Sequence, residues 1–451
     1  GEILALTIQR LGPNNYQVTA TESITLVRDI PNYDDSGLRN FALTKRQVTG
    51  LLVVGTASDP IIYVTSSDPR IGGGSGGEND LNLDTNSGIV SRLTRSGSTW
   101  SKVDLVRGLP RSEENHAPNG MQLDQVTNTL YLAQGGNTNA GSPSINFAYM
   151  CETALSSAVL TIDLDTLDAM TVKTDAYGQK YLYNLPTLDD PNPSRTHNPD
   201  GSDSNDPFGG NDGLNQAKLV AGGPVQIYSP GFRNPYDLVL TRTPGHEGRL
   251  YTFDNGANLG WGGYPQNEGA AGNTTNQYVN GEPGQLNNRD SLHLISGPGY
   301  YGGHPNPIRA NPAGAGWFHY DSTQPAGSEK IFSATPTTDW PPVPLAMANP
   351  VEGDFRLPGT ANGALLTYPA STNGLAEYVA TNFNGEMQGN LIAASYDGTL
   401  LRIALNAAGT AVTNGVEPLA SGFGNLPLDV TAPDPGHGAP FLGTIWVAHY
   451  S

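Results

Sequence analysis

Five times along the chain a turn of Gly, Asn or Asp leads into a short apolar run carrying an aromatic residue, which then exits through small or polar residues. The phrase appears as DPIIYVTSSD (59 to 68), TNTLYLAQGG (127 to 136), GRLYTFDNG (248 to 256), GNLIAASYDG (389 to 398) and GTIWVAHY (443 to 450). It is loose in length and strict in character. Further runs of strand type follow, such as SGIVSRLT (87 to 94), SAVLTIDL (157 to 164) and TLLRIALN (399 to 406). Apolar runs of this length bounded by turn residues are strands. Their recurrence fits radial repetition of four-stranded sheets around a central channel, whereas a sandwich would space its turns more closely and regularly.

Composition agrees with an all-β chain. With 56 Gly, 35 Pro and only 14% charged residues in 451, turn formers are abundant and the Glu, Lys and Leu runs of long helices are scarce. Length does not set the domain count, because closed β folds run long as one unit. A single domain over 1–451 is therefore expected. GEILALTIQR opens the chain as a strand and GTIWVAHYS closes it as another. Two such strands sharing one blade would close a ring and hide edges that otherwise pair with other chains.

Two insertions break the rhythm. Residues 185–219 set Asp200, Asp203, Asp206 and Asp212 among Gly, Ser and Asn, and residues 263–290 are rich in Asn and Gly. Alternating oxygen donors on a tightly turning loop suit Ca²⁺, although the spacing is not that of an EF-hand; an ordinary solvated polar loop has the same composition.

The net charge of −19, from 42 acids against 23 bases, opposes a phosphate backbone or an anionic membrane and favours hard cations. No nucleic-acid partner and no membrane insertion are expected. The one cysteine, Cys151, excludes an intramolecular disulfide and a thiolate-rich metal site. The abrupt start and acidic loops suggest an extracellular or periplasmic location and a mature form or module of a larger protein, with other domains of that chain as partners.

The stretches able to do chemistry lie between strands. In SPGFRNPYD (229 to 237), Gly231 and Pro235 stiffen a turn before the strand LVLTRT, and Arg233 on that turn offers a fixed fork of donors to a carboxylate or phosphate. Pairing with Asp237 would instead make it a brace. His116 in NHAPNGMQLD sits on a similar entrance, where an imidazole can take a proton near neutral pH or serve as a structural hydrogen bonder. DNGANLGWGG (254 to 263) combines Asp254, Gly-freed carbonyls and Trp261, suited to a hard cation and to stacking on a sugar. NNRDSLHLISGPGYYGGHPNP (287 to 307) adds Asp290 and His304, and places His293 between two leucines, on the more polar face of its strand.

The ordered set ENHAPNG, LYLAQGGNTN, SPGFRNPYD, DNGAN and NNRDSLHLISGPGYYGGHP resembles the soluble glucose and sorbosone dehydrogenase family from about residue 50 onward. The resemblance implies a six-bladed β-propeller that oxidises aldose sugars with pyrroloquinoline quinone beside Ca²⁺ at the channel mouth. It assigns His116 as the base, Arg233 and Asn234 as quinone contacts, and Asn137 or Asn139 as an amide contact. Gly256 and Ala257 then hold the Ca²⁺ through backbone oxygens, with Asp254 and Asp290 as further metal candidates. Two departures accompany it. AASYDGTLL has Asp397 where the family has a Lys, and SGFGNLPLDV (421 to 430) lacks the family's two Arg. Two other readings therefore stand beside sugar oxidation: a calcium-stabilised carbohydrate-binding or adhesion module taking a small sugar or glycan, and a metal-assisted sugar dehydratase.

Overall fold

In the computed structural model, all residues are described except 14, 35–38, 74–80, 82, 189–215, 278–285, 287–288, 321–329, 334–339, 370, 425, 434–440 and 450–451. Asp200, Asp203, Asp206 and Asp212 lie outside the described residues.

The fold is almost entirely β, in several sheets arranged like a propeller. Four successive sheets each begin with a four-strand antiparallel meander. The first runs Gln47–Gly55, Pro60–Ser67, Gly88–Ser96, Thr99–Leu109, and gains Lys180–Asn184 in parallel at its outer edge, followed by Lys173–Thr174. The second runs Pro118–Asp124, Thr129–Gln134, Ala158–Asp163, Val225–Pro230. The third runs Pro235–Leu240, Leu250–Asp254, Asp290–Ile295, Leu366–Tyr368. The fourth runs Thr372–Tyr378, Asn390–Ser395, Thr399–Leu405, Val412–Ser421. A fifth sheet pairs Pro427–Thr431 with Trp446–His449. Each recurring sequence phrase is thus the second strand of a sheet. Its continuous burial from Ile62 to Ser67 and over Asn390–Ser395 follows from packing on both faces.

Apolar layers fill the gaps between neighbouring sheets. Val90, Val106, Leu132 and Leu160 join the first sheet to the second, Val159, Phe232, Leu238 and Leu250 the second to the third, Phe253, Leu292, Leu375 and Leu391 the third to the fourth. Ile392, Leu400 and Val430 continue into the fifth.

The first strands of all five sheets border one common channel. Each carries a register shift near its start, at Val48/Gly50, Pro118/Met121, Pro235/Leu238, Thr372/Leu375 and Pro427/Asp429. At these bulges stand Gly50, Gly120, Asp237, Gly374 and Asp429. A Cβ on Gly120 would lie 2.3 Å from Asp237 Oδ1, and one on Gly374 2.4 Å from the Cα of Asp429. The missing side chains let neighbouring bulges touch.

The terminal strands differ from expectation. Ile3–Gly12 pairs with Asn15–Ile24, not with the last strand, because the turn between them closes a local hairpin. Ile3, Ile24, Val27 and Ile30 pack this hairpin on Ile62, Val64, Ile89 and Leu93 of the first sheet. At its tip the Tyr16 hydroxyl meets Thr444 Oγ1 at 2.7 Å, and the ring lies against Phe441 and Trp446. The two ends of the chain therefore meet through side chains. Among the described residues, no helix is long and apolar enough to cross a membrane.

Candidate active site

At the end of the channel where the first strands begin, the loops leading into them surround a hollow of about 660 Å³. Glu114, His116, Arg233, Asn234, Trp261 and Asp290 all line it. His116 and Arg233, 117 positions apart in sequence, therefore converge on the same space.

Arg233 is placed by its turn. Gly231 adopts φ 91°, and a Cβ there would strike the Tyr301 ring at 2.4 Å. Phe232 is fully buried and anchors the loop. Asp254 accepts from the backbone N–H of Arg233 at 3.1 Å and of Asn234 at 2.8 Å. The Arg233 Nε donates to Asn139 Oδ1 at 3.3 Å, and its guanidinium carbon lies 5.6 Å from the centre of the Phe147 ring. Among the described residues its two terminal nitrogens meet no hydrogen-bonding partner. They remain a fork of donors on the hollow.

His116 is held equally firmly. Its N–H donates to Ser112 Oγ at 2.9 Å, its ring packs edge-on to Phe147, and Nδ1 lies 2.9 Å from the Gly136 carbonyl oxygen. A carbonyl only accepts, so Nδ1 carries the hydrogen and Nε2 presents a lone pair. Burial, reinforced by the positive charge of Arg233, holds the imidazole well below its usual range, so it is neutral at physiological pH. Gly136 serves both partners: its N–H donates to the Arg233 carbonyl at 2.7 Å while its own carbonyl orients His116.

The acids around Arg233 are desolvated. Burial raises Asp254 to about 7 and Asp290 to about 6, against amide donors and Arg233 that pull the other way. Asp290 accepts from Gly256 N, Asn255 Nδ2 and Thr372 N at 2.7 to 3.1 Å. Both carboxylates thus brace loops. Among the described residues, no group of three or more His, Cys, Asp or Glu side chains could hold a metal ion. Gly256 and Ala257 border a small cavity on the side of Arg233 facing His304, and Gly256 borders the hollow as well.

Asn137 is not among the residues lining the hollow. Its side-chain amide donates to the Cys151 carbonyl, and its N–H bonds to Glu152. The neighbouring Asn139 is the amide that touches Arg233. His304 hydrogen-bonds Glu152 at 3.0 Å, and His293 the Tyr300 hydroxyl at 2.8 Å, so both are structural. Asp237 does not pair with Arg233: it bonds the N–H groups of Leu238 and Leu375 in the channel wall. Sequence reasoning overlooked Gly136, although it lies in LYLAQGGNTN, because a backbone bridge leaves no side-chain signature. It also overlooked Phe147, whose loop carries no motif.

No protein-family model matches the chain, and no curated protein is found similar to it. Among solved structures it is similar to a glucose dehydrogenase, at 17% identity and TM-score 0.41, over 88% of this chain and 78% of that one. A soluble aldose sugar dehydrogenase from Escherichia coli, in its apo form, shares 14% identity at TM-score 0.40, over 86% and 74%. An intramolecular trans-sialidase from Ruminococcus gnavus, in complex with oseltamivir carboxylate, shares 10% at TM-score 0.32, over 90% and 77%. Superpositions this loose carry no conclusion about chemistry.

Proposed function

We propose that the protein is an enzyme acting on a sugar bound in the hollow, with His116 removing a proton and Arg233 neutralising the negative charge that results. The observation that carries this reading is the pairing, in one hollow, of an imidazole whose Nε2 makes no hydrogen bond and a guanidinium whose two terminal nitrogens make none, among the described residues. Trp261 offers an aromatic face for a sugar ring, and Asn119, Asn255, Asn258 and Asn373 surround it with neutral amides.

Pyrroloquinoline quinone does not fit this hollow. It is a tricarboxylate, and among the described lining residues Arg233 is the sole Lys or Arg, set against Glu114 and Asp290. Each charge-assisted contact absent from the other side forfeits roughly 1.5–3 kcal/mol. A calcium ion suits the local excess of acid; the backbone oxygens of Gly256 and Ala257 would hold it, on a loop fixed by Asp290, and it would polarise a substrate carbonyl or hydroxyl. The charge inventory thus favours redox-neutral proton abstraction beside a carbonyl, as in a sugar dehydration, over quinone-dependent oxidation. Sugar oxidation needs a hydride acceptor of lower charge.

The test is turnover of an aldose and keto-sugar panel with Ca²⁺, with and without the quinone, followed by dye reduction and by ultraviolet absorbance of an enone product. Absorbance without dye reduction supports the redox-neutral form, and dye reduction supports oxidation. Either activity should fall at least about a hundredfold in His116→Ala. Sugar binding with no turnover under any condition would make the protein a carbohydrate-binding module and sink the enzymatic reading.

A further inference from the structure

Glu114 stands out among the groups lining the hollow. Its Oε2 is buried and has no hydrogen-bond partner among the described residues, and His116 Nε2 lies 3.7 Å away. Both atoms are acceptors when Glu114 is ionised and Nδ1 holds the imidazole hydrogen. Two desolvated lone pairs facing one another is an arrangement that a single proton between them relieves.

We propose that the base of this site is the Glu114–His116 pair, in which a proton taken at Nε2 is shared with the Glu114 carboxylate. On the far side of the ring Nδ1 meets only the neutral Gly136 carbonyl, so no carboxylate there can offset an imidazolium. The electrostatic surroundings oppose that cation: Arg233 from the turn before the third sheet, Arg111 from the same loop and His304 from the loop beyond all disfavour it. Glu114 supplies the compensating charge. Its carboxyl is raised by burial, against Arg233 and Arg111, whereas burial and Arg233 lower His116, so a proton that the imidazole alone resists finds a second acceptor beside it at Oε2. In a reaction, the substrate O–H or C–H bond breaks, its electron pair stays on the sugar beside Arg233, and the proton passes to Nε2 with Oε2 as the second acceptor. No further reactant is required for that step.

The catalytic part of this assignment rests on the proposed function; the proton sharing does not. The full chain, with ¹⁵N-labelled histidine and ¹³C-carboxyl glutamate, is titrated by NMR, His116 and Glu114 being assigned from His116→Gln and Glu114→Gln. Expected is one step that moves both the Glu114 carboxyl and His116 Nε2. In Glu114→Gln, His116 should stay neutral to a pH at least about one unit lower. In His116→Gln the Glu114 step should move. A His116 titration identical in wild type and Glu114→Gln, or a Glu114 step without response at Nε2, overturns the pairing. Glu114→Asp provides a second variant should the glutamine form fail to fold, and should give a weakened coupling. On whichever sugar is turned over, Glu114→Gln should lower kcat at least about tenfold with little change in KM, and Glu114→Asp should recover part of it. Wild-type kcat in both variants would remove Glu114 from catalysis. If no sugar is turned over, the proposed function fails while the titration still decides the pair.

Discussion

A single glycine residue sets the distance between the two functional side chains. Gly136 donates to the Arg233 carbonyl and accepts from His116 Nδ1, and a Cβ on it would sit 2.8 Å from Glu152 Oε1 and 3.0 Å from Arg233 O. Gly136→Ala should therefore disturb both groups together, with a loss of activity exceeding its loss of stability; comparison of kcat/KM with the urea midpoint checks this. Arg233 has a separable electrostatic role. Because its charge depresses His116, Arg233→Met should raise the imidazole's pKa, read by NMR titration, while any turnover falls about a hundred- to a thousandfold as the anion loses its partner. Much of this site was legible in the sequence. Gly231 and Pro235 mark a rigid turn, and the position of NHAPNG before a strand places His116 at a loop entrance. What could not be read was which amide, Asn137 or Asn139, turns toward Arg233. That depends on Glu152, whose carboxylate takes the Asn137 N–H and the Thr138 hydroxyl and fixes the loop from inside.

At the scale of the elements, the register shifts of the five first strands are the feature that organises the channel. Sequence periodicity located the second strand of each sheet as an apolar run, and in the first four sheets that strand is largely buried. It gave little warning of the first strands, whose bulges and channel-facing residues break alternation. Two of the bulges carry acids in place of glycine. Asp237 is half-buried and Asp429 more exposed, and both carboxyls are raised, chiefly by loss of solvation and, for Asp237, by the neighbouring Asp429 charge. A raised carboxyl keeps its proton in the folded protein to a higher pH than in the unfolded chain. Its contribution is therefore complete below about pH 4 and is lost as pH rises through the elevated folded value. Asp429→Asn should flatten the fall of the urea midpoint on the alkaline side, an effect that solvent around Asp429 keeps small. Gly120→Ala tests the steric side of the same contact. Its Cβ would lie 2.3 Å from Asp237 Oδ1 and 2.8 Å from the Asp237 Cα, and overpacking of this kind costs about 1–3 kcal/mol in chemical denaturation.

Over the whole molecule, the question is what joins the first sheet to the last. A shared terminal sheet was expected from two strand-like ends; instead a local hairpin forms, because its turn lets Ile3–Gly12 and Asn15–Ile24 pair before any distant partner is reached. The base of that hairpin is fixed on the first sheet through Ile3 and Ile24, whereas much of its length is exposed, including Leu4, Leu6 and Val18. Contact with the last sheet is concentrated at Tyr16, through one hydroxyl bond to Thr444 and two ring contacts. Hairpins of two strands are marginal alone, so this one depends on both attachments. If Tyr16 clasps the ends of the chain, Tyr16→Ala should lower stability by about 1–3 kcal/mol and broaden or split the thermal transition, since the fifth sheet would loosen separately from the four before it. Tyr16→Phe, which keeps the rings and removes only the hydroxyl bond, should lose about 1 kcal/mol. Hydrogen exchange locates the effect: faster exchange in Trp446–His449 of Tyr16→Ala, with the second and third sheets unchanged, supports a clasp. Faster exchange confined to the hairpin itself would show that the last sheet stands without it and that Tyr16 anchors only its own strand.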